Sequence, residues 1–372
     1  MAALNGGTVV NDTTGVINIY ADYGKPFFAD SSSMVINYGT VCIGDDCQDS
    51  AEYNPTDTNV SLNYADGLIT AEGENMTSPN NIYVSGKVGN DGTVNTDNIS
   101  VIESGNLSNN TSGTLNSDIS LDKGMLTNNG EISGTVSSQG GTITNSGKIG
   151  SVDAEGGSTF TNGGEVTGTL TVGGGSTVIN GNTASVNKVE MWKGTLDNQG
   201  YIGTLMLENT TGVVSNEGTI NKINFNAATV FNNNGTVNDA AIAQGATFNN
   251  LSSGVLSVPE DMWKGTLNNW GEVDGTINIA SSAFTFYNAG TFNGKVKTAS
   301  ANGGKVINDG VINASGNNTV AMSASGSAKM VNNGVINLGT EGTSDTGMVA
   351  MQLESNAKSD AVIENNGAIN IY

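Results

Sequence analysis

The chain has 372 residues and a formal net charge of −22, with 13 lysines, no arginine and no histidine set against 35 acidic residues. Without histidine there is no Ser-His-Asp or Cys-His nucleophile, no imidazole zinc ligand and no histidine general base; without arginine there is no bidentate clamp for phosphate or carboxylate. An enzyme is not expected and no cofactor is called for. A body this acidic repels nucleic acid, whose binding depends on neutralising phosphates with basic side chains.

Glycine, asparagine, threonine and serine make up close to half of the chain, yet 36% hydrophobic residues is enough to build a core. No run of about 18 apolar residues and no signal-peptide pattern is present, so the segment reads as soluble, with no direct membrane insertion. The chain stops at Asn370-Ile371-Tyr372, part-way through a repeated pattern, and reads as a piece of a longer protein.

At the N-terminal end, Asn11, Asn37, Asn63 and Asn90 stand 26, 26 and 27 residues apart, which predicts long coils over 1–89. Their extra residues include Cys42 and Cys47, four residues apart in a Gly/Asp turn. This reads as a small disulfide loop formed in an oxidising compartment; the competing reading is a reduced redox or metal pair, and a metal would want two more soft ligands that the chain does not supply. The first 100 residues hold 13 acids and 2 lysines, half the chain's net charge. Asp45, Asp46, Asp49, Glu52 and Asp57 bring carboxylates together as a calcium site would, although a solvated acidic loop accounts for them and no metal is assigned.

From residue 90 to 300 one phrase recurs: an apolar residue, any residue, Asn, any residue, Gly, any residue, then Ile or Val. It appears as Leu126-Thr-Asn128-Asn-Gly130-Glu-Ile132, Ile143-Thr-Asn145-Ser-Gly147-Lys-Ile149, Phe160-Thr-Asn162-Gly-Gly164-Glu-Val166 and Leu196-Asp-Asn198-Gln-Gly200-Tyr-Ile202. It continues at Asn216, Asn233, Asn269 and Asn288, then at Asn308, Asn332 and Asn365, with looser versions at Asn110, Asn180 and Asn250. Between Asn90 and Asn288 the period is 18 residues, over eleven intervals. After Asn308 the steps lengthen to 24 and 33, so coils with added segments are expected over 301–372.

An α-solenoid is disfavoured, because every unit carries Asn-x-Gly and both residues are poor inside helices. The inward candidates, such as Ile143, Ile149 and Val152 or Phe160, Val166 and Leu170, lie on short runs broken by Gly and Asn. Such strands cannot bury an apolar face alone and require successive coils to stack in register. The expected fold is all-β: a right-handed parallel β-helix (β-solenoid) spanning 1–372 as one domain, with about 17 coils of roughly 18–27 residues. Its length would be roughly 80 Å at about 4.8 Å per coil. Each Asn-x-Gly is expected to be a corner, with Asn and Gly tolerating a left-handed backbone. The corner amides of Asn128, Asn145, Asn162, Asn198, Asn216, Asn233, Asn269 and Asn288 are expected to stack as a hydrogen-bonded ladder.

The repeated Asn-x-Gly-x-Ile phrase, the Ser/Thr/Gly/Asn dominance and the short Cys-x4-Cys loop resemble the passenger domains of bacterial autotransporter adhesins of the AIDA-like, self-associating class. The resemblance covers essentially the whole chain and rests on a degenerate repeat. It implies secretion to the bacterial cell surface, anchored through an outer-membrane translocator barrel absent from this segment. It also implies self-association, biofilm formation and attachment to host surfaces, the partners being identical passengers on neighbouring cells or host glycans and matrix proteins. The missing histidine excludes the family's protease branch.

Three tryptophans stand out as candidate anchors for a glycan or a protein partner. Trp192 and Trp263 lie in identical hexapeptides, Met191-Trp-Lys-Gly-Thr-Leu196 and Met262-Trp-Lys-Gly-Thr-Leu267, four coils apart and expected on one face. Trp270 lies in the corner Asn269-Trp-Gly271. The bland reading packs Trp192 and Trp263 under a local loop. Two further functions compete with adhesion: a polysaccharide-binding or polysaccharide-cleaving β-helix, which for cleavage needs paired carboxylates about 5–9.5 Å apart, and a structural stalk carrying a distal binding head.

Overall fold

A computed structural model describes residues 105–208, 212–242, 245–258, 262–279, 283–298, 303–342 and 344–372, with shorter strand segments between residues 2 and 102. Among these residues the secondary structure is β-strand, and no helix is long and apolar enough to cross a membrane. Two parallel sheets carry the fold. The first is built from strands of about four residues, such as Met125–Asn128, Thr142–Asn145 and Thr159–Asn162, each pairing in parallel with the equivalent strand one coil on. The second uses longer strands, such as Glu131–Gln139 and Lys148–Glu155, whose register slips between Ile132 and Thr135. A slip of this kind bends the strand that carries it. The chain is a parallel β-solenoid.

Contacts divide the chain into two compact units, Met1–Val189 with Lys193–Thr195, and Glu190–Trp192 with Leu196–Tyr372. Among the described residues, the short-strand sheet of the first unit runs through nine strands, from Thr8–Asn11 to Ser176–Asn180; in the second, eight run from Val213–Asn216 to Val362–Asn365. Gly194–Asn198 falls at the division between the units. The coil count among the described residues differs from the expected figure of about 17.

The core follows from the stacking. In the first unit Leu107, Leu126, Ile143, Phe160 and Val178 form one inward column, and Val94, Leu115, Ile132, Ile149 and Val166 form another. Val136, Val152 and Leu170 add a third, and nearly all of these side chains are almost completely buried. Each buried aliphatic side chain is worth about 1.5–3 kcal/mol of transfer free energy, and none can realise it without the coils on either side. The second unit puts aromatics in the same place: Phe231 and Phe248 have centroids 5.0 Å apart, and Phe286 meets Phe292 edge-on at 5.3 Å.

The corners work differently from the sequence expectation. Among the described residues the only non-glycine positions with positive φ are Lys123 and Asn318, and none of the glycines of the Asn-x-Gly phrase has positive φ. Left-handed glycines occur instead where the long strand turns back, as at Gly156 (φ 63°) and Gly157 (φ 80°). The corner glycine is required by close approach: a Cβ on Gly147 would overlap the carbonyl oxygen of Gly130 one coil below, and a Cβ on Gly164 that of Gly147. Glycine is the residue that lets the two backbones come this close.

Register also corrects the rungs at the N-terminal end. Asn11 pairs with Asn37, but the position opposite Asn37 on the next strand, Leu68–Ala71, is Ala71, which in turn lies opposite Asn90. Asn63 is not the rung residue, and the spacing is 34 residues and then 19 instead of 26 and 27. With alanine in place of asparagine, the amide ladder has no member at that rung. Likewise the rung residue near 110 is Asn109, not Asn110.

Candidate functional site

The corner asparagines form amide ladders in both units. In the first unit the Nδ2 of Asn90, Asn109, Asn128, Asn145 and Asn162 each donates to the Oδ1 of the asparagine on the next rung, Asn162 to that of Asn180, at 2.8–2.9 Å. In the second the same bond links Asn198, Asn216, Asn233, Asn250, Asn269, Asn288, Asn308, Asn332 and Asn365 at 2.7–2.8 Å. Each amide also caps the corner it sits in, as when Asn145 Nδ2 donates to the Gly147 carbonyl at 3.2 Å and to the Glu165 carbonyl at 3.3 Å. From Asn90 to Asn332 these side chains are buried, so they are scaffold and not ligand contacts, whereas Asn365 is exposed.

Outer ladders run beside the inner ones. Asn268 donates to Asn249 and Asn249 to Asn232, at 2.9 and 2.8 Å. On the second sheet Asn370 donates to Asn337, Asn337 to Asn313 and Asn313 to Asn293, each at 2.8 Å. Their donors point toward the N-terminal end while the inner donors point the other way, so the amide dipoles of the two sets oppose each other. Sequence reasoning missed these outer columns, although the doubled asparagines Asn232-Asn233, Asn249-Asn250 and Asn268-Asn269 carried the signal.

The outer column of the second unit leads into an aromatic patch. Tyr287 is in register with Asn268 on the next rung, and its ring lies 6.2 Å from that of Trp270, which is 43% exposed. Trp270 projects from the corner because its neighbours Asn269 and Gly271 are fixed by the ladder and by backbone contact. The Tyr287 hydroxyl is hydrogen-bonded to Asp309, and that bond, with lesser contributions from burial and the carboxylate's charge, raises its pKa above the ordinary tyrosine value. Two aromatic faces, a carboxylate and a row of amides thus share one surface.

Trp192 is not gathered there. Trp192 is 47% exposed and follows the end of the strand Ser185–Met191, whose Met191 is buried. In the second hexapeptide the strand is Met262–Trp263, with Trp263 opposite Ile279, and the Trp263 side chain lies outside the described residues. The two identical hexapeptides thus place their tryptophans differently with respect to the strand. Cys42 lies in the strand Thr40–Ile43, whereas Cys47 and the acids at 45, 46, 49, 52 and 57 fall outside the described residues.

Two sets of surface hollows remain. In the first unit a shallow groove of about 500 Å³ follows the corners past Gly113, Gly130, Gly147 and Gly164, where Lys148 reaches Glu131 at 3.8 Å. In the second unit adjoining clefts of about 350 and 410 Å³ share Thr276, Lys295 and Thr319. Among the described residues no group of three or more His, Cys, Asp or Glu is placed to hold a metal ion.

Fold and surface together define a class: an acidic parallel β-solenoid stabilised by asparagine ladders, with exposed aromatic and polar patches. The model of one protein family, described as the BigA fourth domain, matches residues 283–372. A putative surface-exposed virulence protein, BigA of Salmonella typhimurium (strain LT2), is 31% identical over 127 residues, which is 34% of this chain and 6% of that protein. The chain therefore aligns with only a small part of that relative. No solved structure matches.

Proposed function

We propose that this chain is a segment of a bacterial cell-surface, virulence-related β-helix protein, and that it acts as an adhesin. The observation that carries the adhesive reading is the Trp270–Tyr287 pair, partly exposed on a polar sheet face and fixed in place by the ladders beneath. Rigid aromatic anchors lose little conformational entropy on binding, and their faces suit the C–H surfaces of sugars or a partner's apolar side chains. The likeness to a protein described as surface-exposed supports the location. Display in the manner of an autotransporter passenger, anchored through an outer-membrane barrel, is the finer form of this reading. The partners are then identical chains on neighbouring cells, giving self-association and biofilm, or host glycans and matrix proteins. We read the surface as binding and not catalytic.

The test is a bead or cell display of the chain, mixing displaying and non-displaying populations that carry different labels. Clumps of displaying particles alone support homotypic contact, and mixed clumps a ligand on the other surface. Substituting W270A together with Y287A is expected to abolish either kind of clump. Absence of any clumping or host attachment by the parent chain defeats the adhesive reading in favour of a stalk.

A further inference from the structure

The second unit holds a cleft that the adhesive patch does not use. The strand Thr291–Thr298 carries Lys295 and Lys297, two residues apart and therefore on the same face, both exposed. In register above them on the strand Glu272–Ile279 are Thr276 and Asn278. The next coil interrupts its long strand into Val311–Ala314 and Val320–Gly326, and residues 315–319 stand up between the two as a ridge. The ridge is held from the following coil: the Gly316 amide donates to Asp345 at 2.9 Å, the Thr346 amide donates to the Asn317 side chain at 2.9 Å, and the Asn318 amide donates to the Thr346 carbonyl at 2.8 Å. Within the ridge, the Thr319 hydroxyl donates to the Ser315 carbonyl at 3.0 Å. The result is a walled cleft, not an open sheet face.

Its electrostatics run against the rest of the molecule. The chain carries −22, and Lys148 and Lys222 each face a carboxylate, Glu131 at 3.8 Å and Asp239 at 3.1 Å. Lys295 and Lys297 form no ion pair among the described residues. The nearby Glu272 and Asp274 carboxylates are taken by the Asn293 amide at 2.7 and 2.8 Å, and Glu354, at the rim, accepts a hydrogen bond from Ser323. Two ammonium groups about 7 Å apart at their Cα atoms thus face a space lined mostly by hydroxyl and amide groups, with the Glu354 carboxylate, Val320 and Ala314 also on its walls. Lined in this way, the cleft suits a polyhydroxylated ligand, and volumes of about 350 and 410 Å³ lie within the range of small-molecule sites.

We propose that this cleft binds an acidic saccharide, with Lys295 and Lys297 on its carboxylate or sulfate and Thr276, Asn278 and Thr319 on its hydroxyls. The proposal rests on the cell-surface reading only for where such a sugar is met. Lysine is a point-charge partner that tolerates either anion, so the shared chemistry is an anionic sugar.

The experiment is solution binding by calorimetry with the full chain. The probes are an oligogalacturonate, a sulfated heparin-derived oligosaccharide, neutral maltohexaose and vesicles containing phosphatidylglycerol. Saturable binding of either acidic saccharide is expected, the two arms identifying the substituent, with at least a tenfold loss in K295Q/K297Q. The charge-matched variant K148Q/K222Q, altered at the two paired lysines, is expected to lose less than twofold, and a melting curve for each variant establishes that it is folded. The proposal is overturned by no binding of either acid, by equal binding of maltohexaose, by equal losses in both double variants, or by binding to the vesicles alone. These outcomes are independent of bead clumping, so the cleft and the adhesive reading fail separately.

Discussion

The coils at residues 125–172 and those at 305–372 solve one packing problem with different amounts of chain. In the first stretch the asparagine rungs follow each other at 17 residues, and nothing is left over beyond strands and turns. In the second, the steps are 24 and 33 residues, yet Asn308 still reaches Asn332, and Asn332 still reaches Asn365, at 2.7 Å. The short-strand sheet keeps its register across both steps. Most of the surplus is placed between the strands of the second sheet, at 315–319 and 339–348. The ladder sheet is invariant because its amide chain and its glycine-to-glycine approach tolerate no extra atom, whereas in the added segments a Cβ on Gly316 would meet nothing nearer than 3.3 Å and one on Gly342 nothing within 4 Å.

If that is right, a ladder asparagine should cost the same in both regions. Substituting Asn145 or Asn308 by leucine removes the amide partner of the preceding rung's Nδ2 and of the following rung's Oδ1, and with it the side-chain donor to the Gly147 and Glu165 carbonyls or to the Gly310 and Val335 carbonyls. Each buried unsatisfied group costs about 1–3 kcal/mol, so a loss of about 3 kcal/mol is expected for either variant in urea denaturation. A much smaller loss for Asn308 than for Asn145 would mean that the decorated coils are held by their added segments and not by the ladder. A second comparison uses adjacent residues. A Cβ on Gly164 would overlap the Gly147 carbonyl, while one on Gly163 approaches nothing nearer than the Asn145 carbonyl at 3.4 Å. Gly164→Ala is expected to cost about 2–3 kcal/mol, and Gly163→Ala less than about 0.5 kcal/mol. Equal losses would show that close approach is not what the corner glycine provides.

This division explains what was readable in the sequence. The ladder and the inward columns were legible because they are strictly periodic: Ile143, Ile149 and Val152 repeat as Phe160, Val166 and Leu170, and the structure pairs them in that order. The break at Ala71 was not legible, since Asn63 continued the spacing while the strand pairing chose a residue eight positions later. The corner glycines were recognised with the wrong cause, because a sequence shows that glycine is required without showing whether φ or a neighbouring coil requires it. The matching Met-Trp-Lys-Gly-Thr-Leu phrases suggested equivalent tryptophans, but where a strand ends is set by its partner strand and not by the phrase. The lysine cleft was invisible because its ridge is tied down by Asp345 and Thr346, 29 residues from their partners.

The opposite corner offers a gentler test. Three extra residues after Gly316 lengthen a loop whose closure entropy rises only slowly with length, so a stability change under about 1 kcal/mol is expected. The same insertion between Ser146 and Gly147 falls inside the ladder corner and should shift the denaturation midpoint well beyond that. Similar responses at the two sites would remove the distinction between a fixed corner and a free one.

The smallest effect lies where the two regions meet. Tyr287 belongs to a regular rung, and its partner Asp309 belongs to the first rung before the longer steps. Its hydroxyl proton is held more tightly in the folded chain than in the unfolded one, because the hydrogen bond to Asp309 requires it. A folded pKa above the unfolded value of about 10 means that this contribution is fully present below that pH. It is then lost as pH rises through the raised folded value. The informative quantity is the difference between the parent and Y287F, in which the effect of pH on every other group is common to both. The parent should be the more stable by a small margin at pH 8, and that margin over Y287F should shrink in thermal melts as pH rises through the raised folded value. A constant difference across that range would mean that the ring's packing against Trp270, and not the bond to Asp309, ties this surface to the rung that follows.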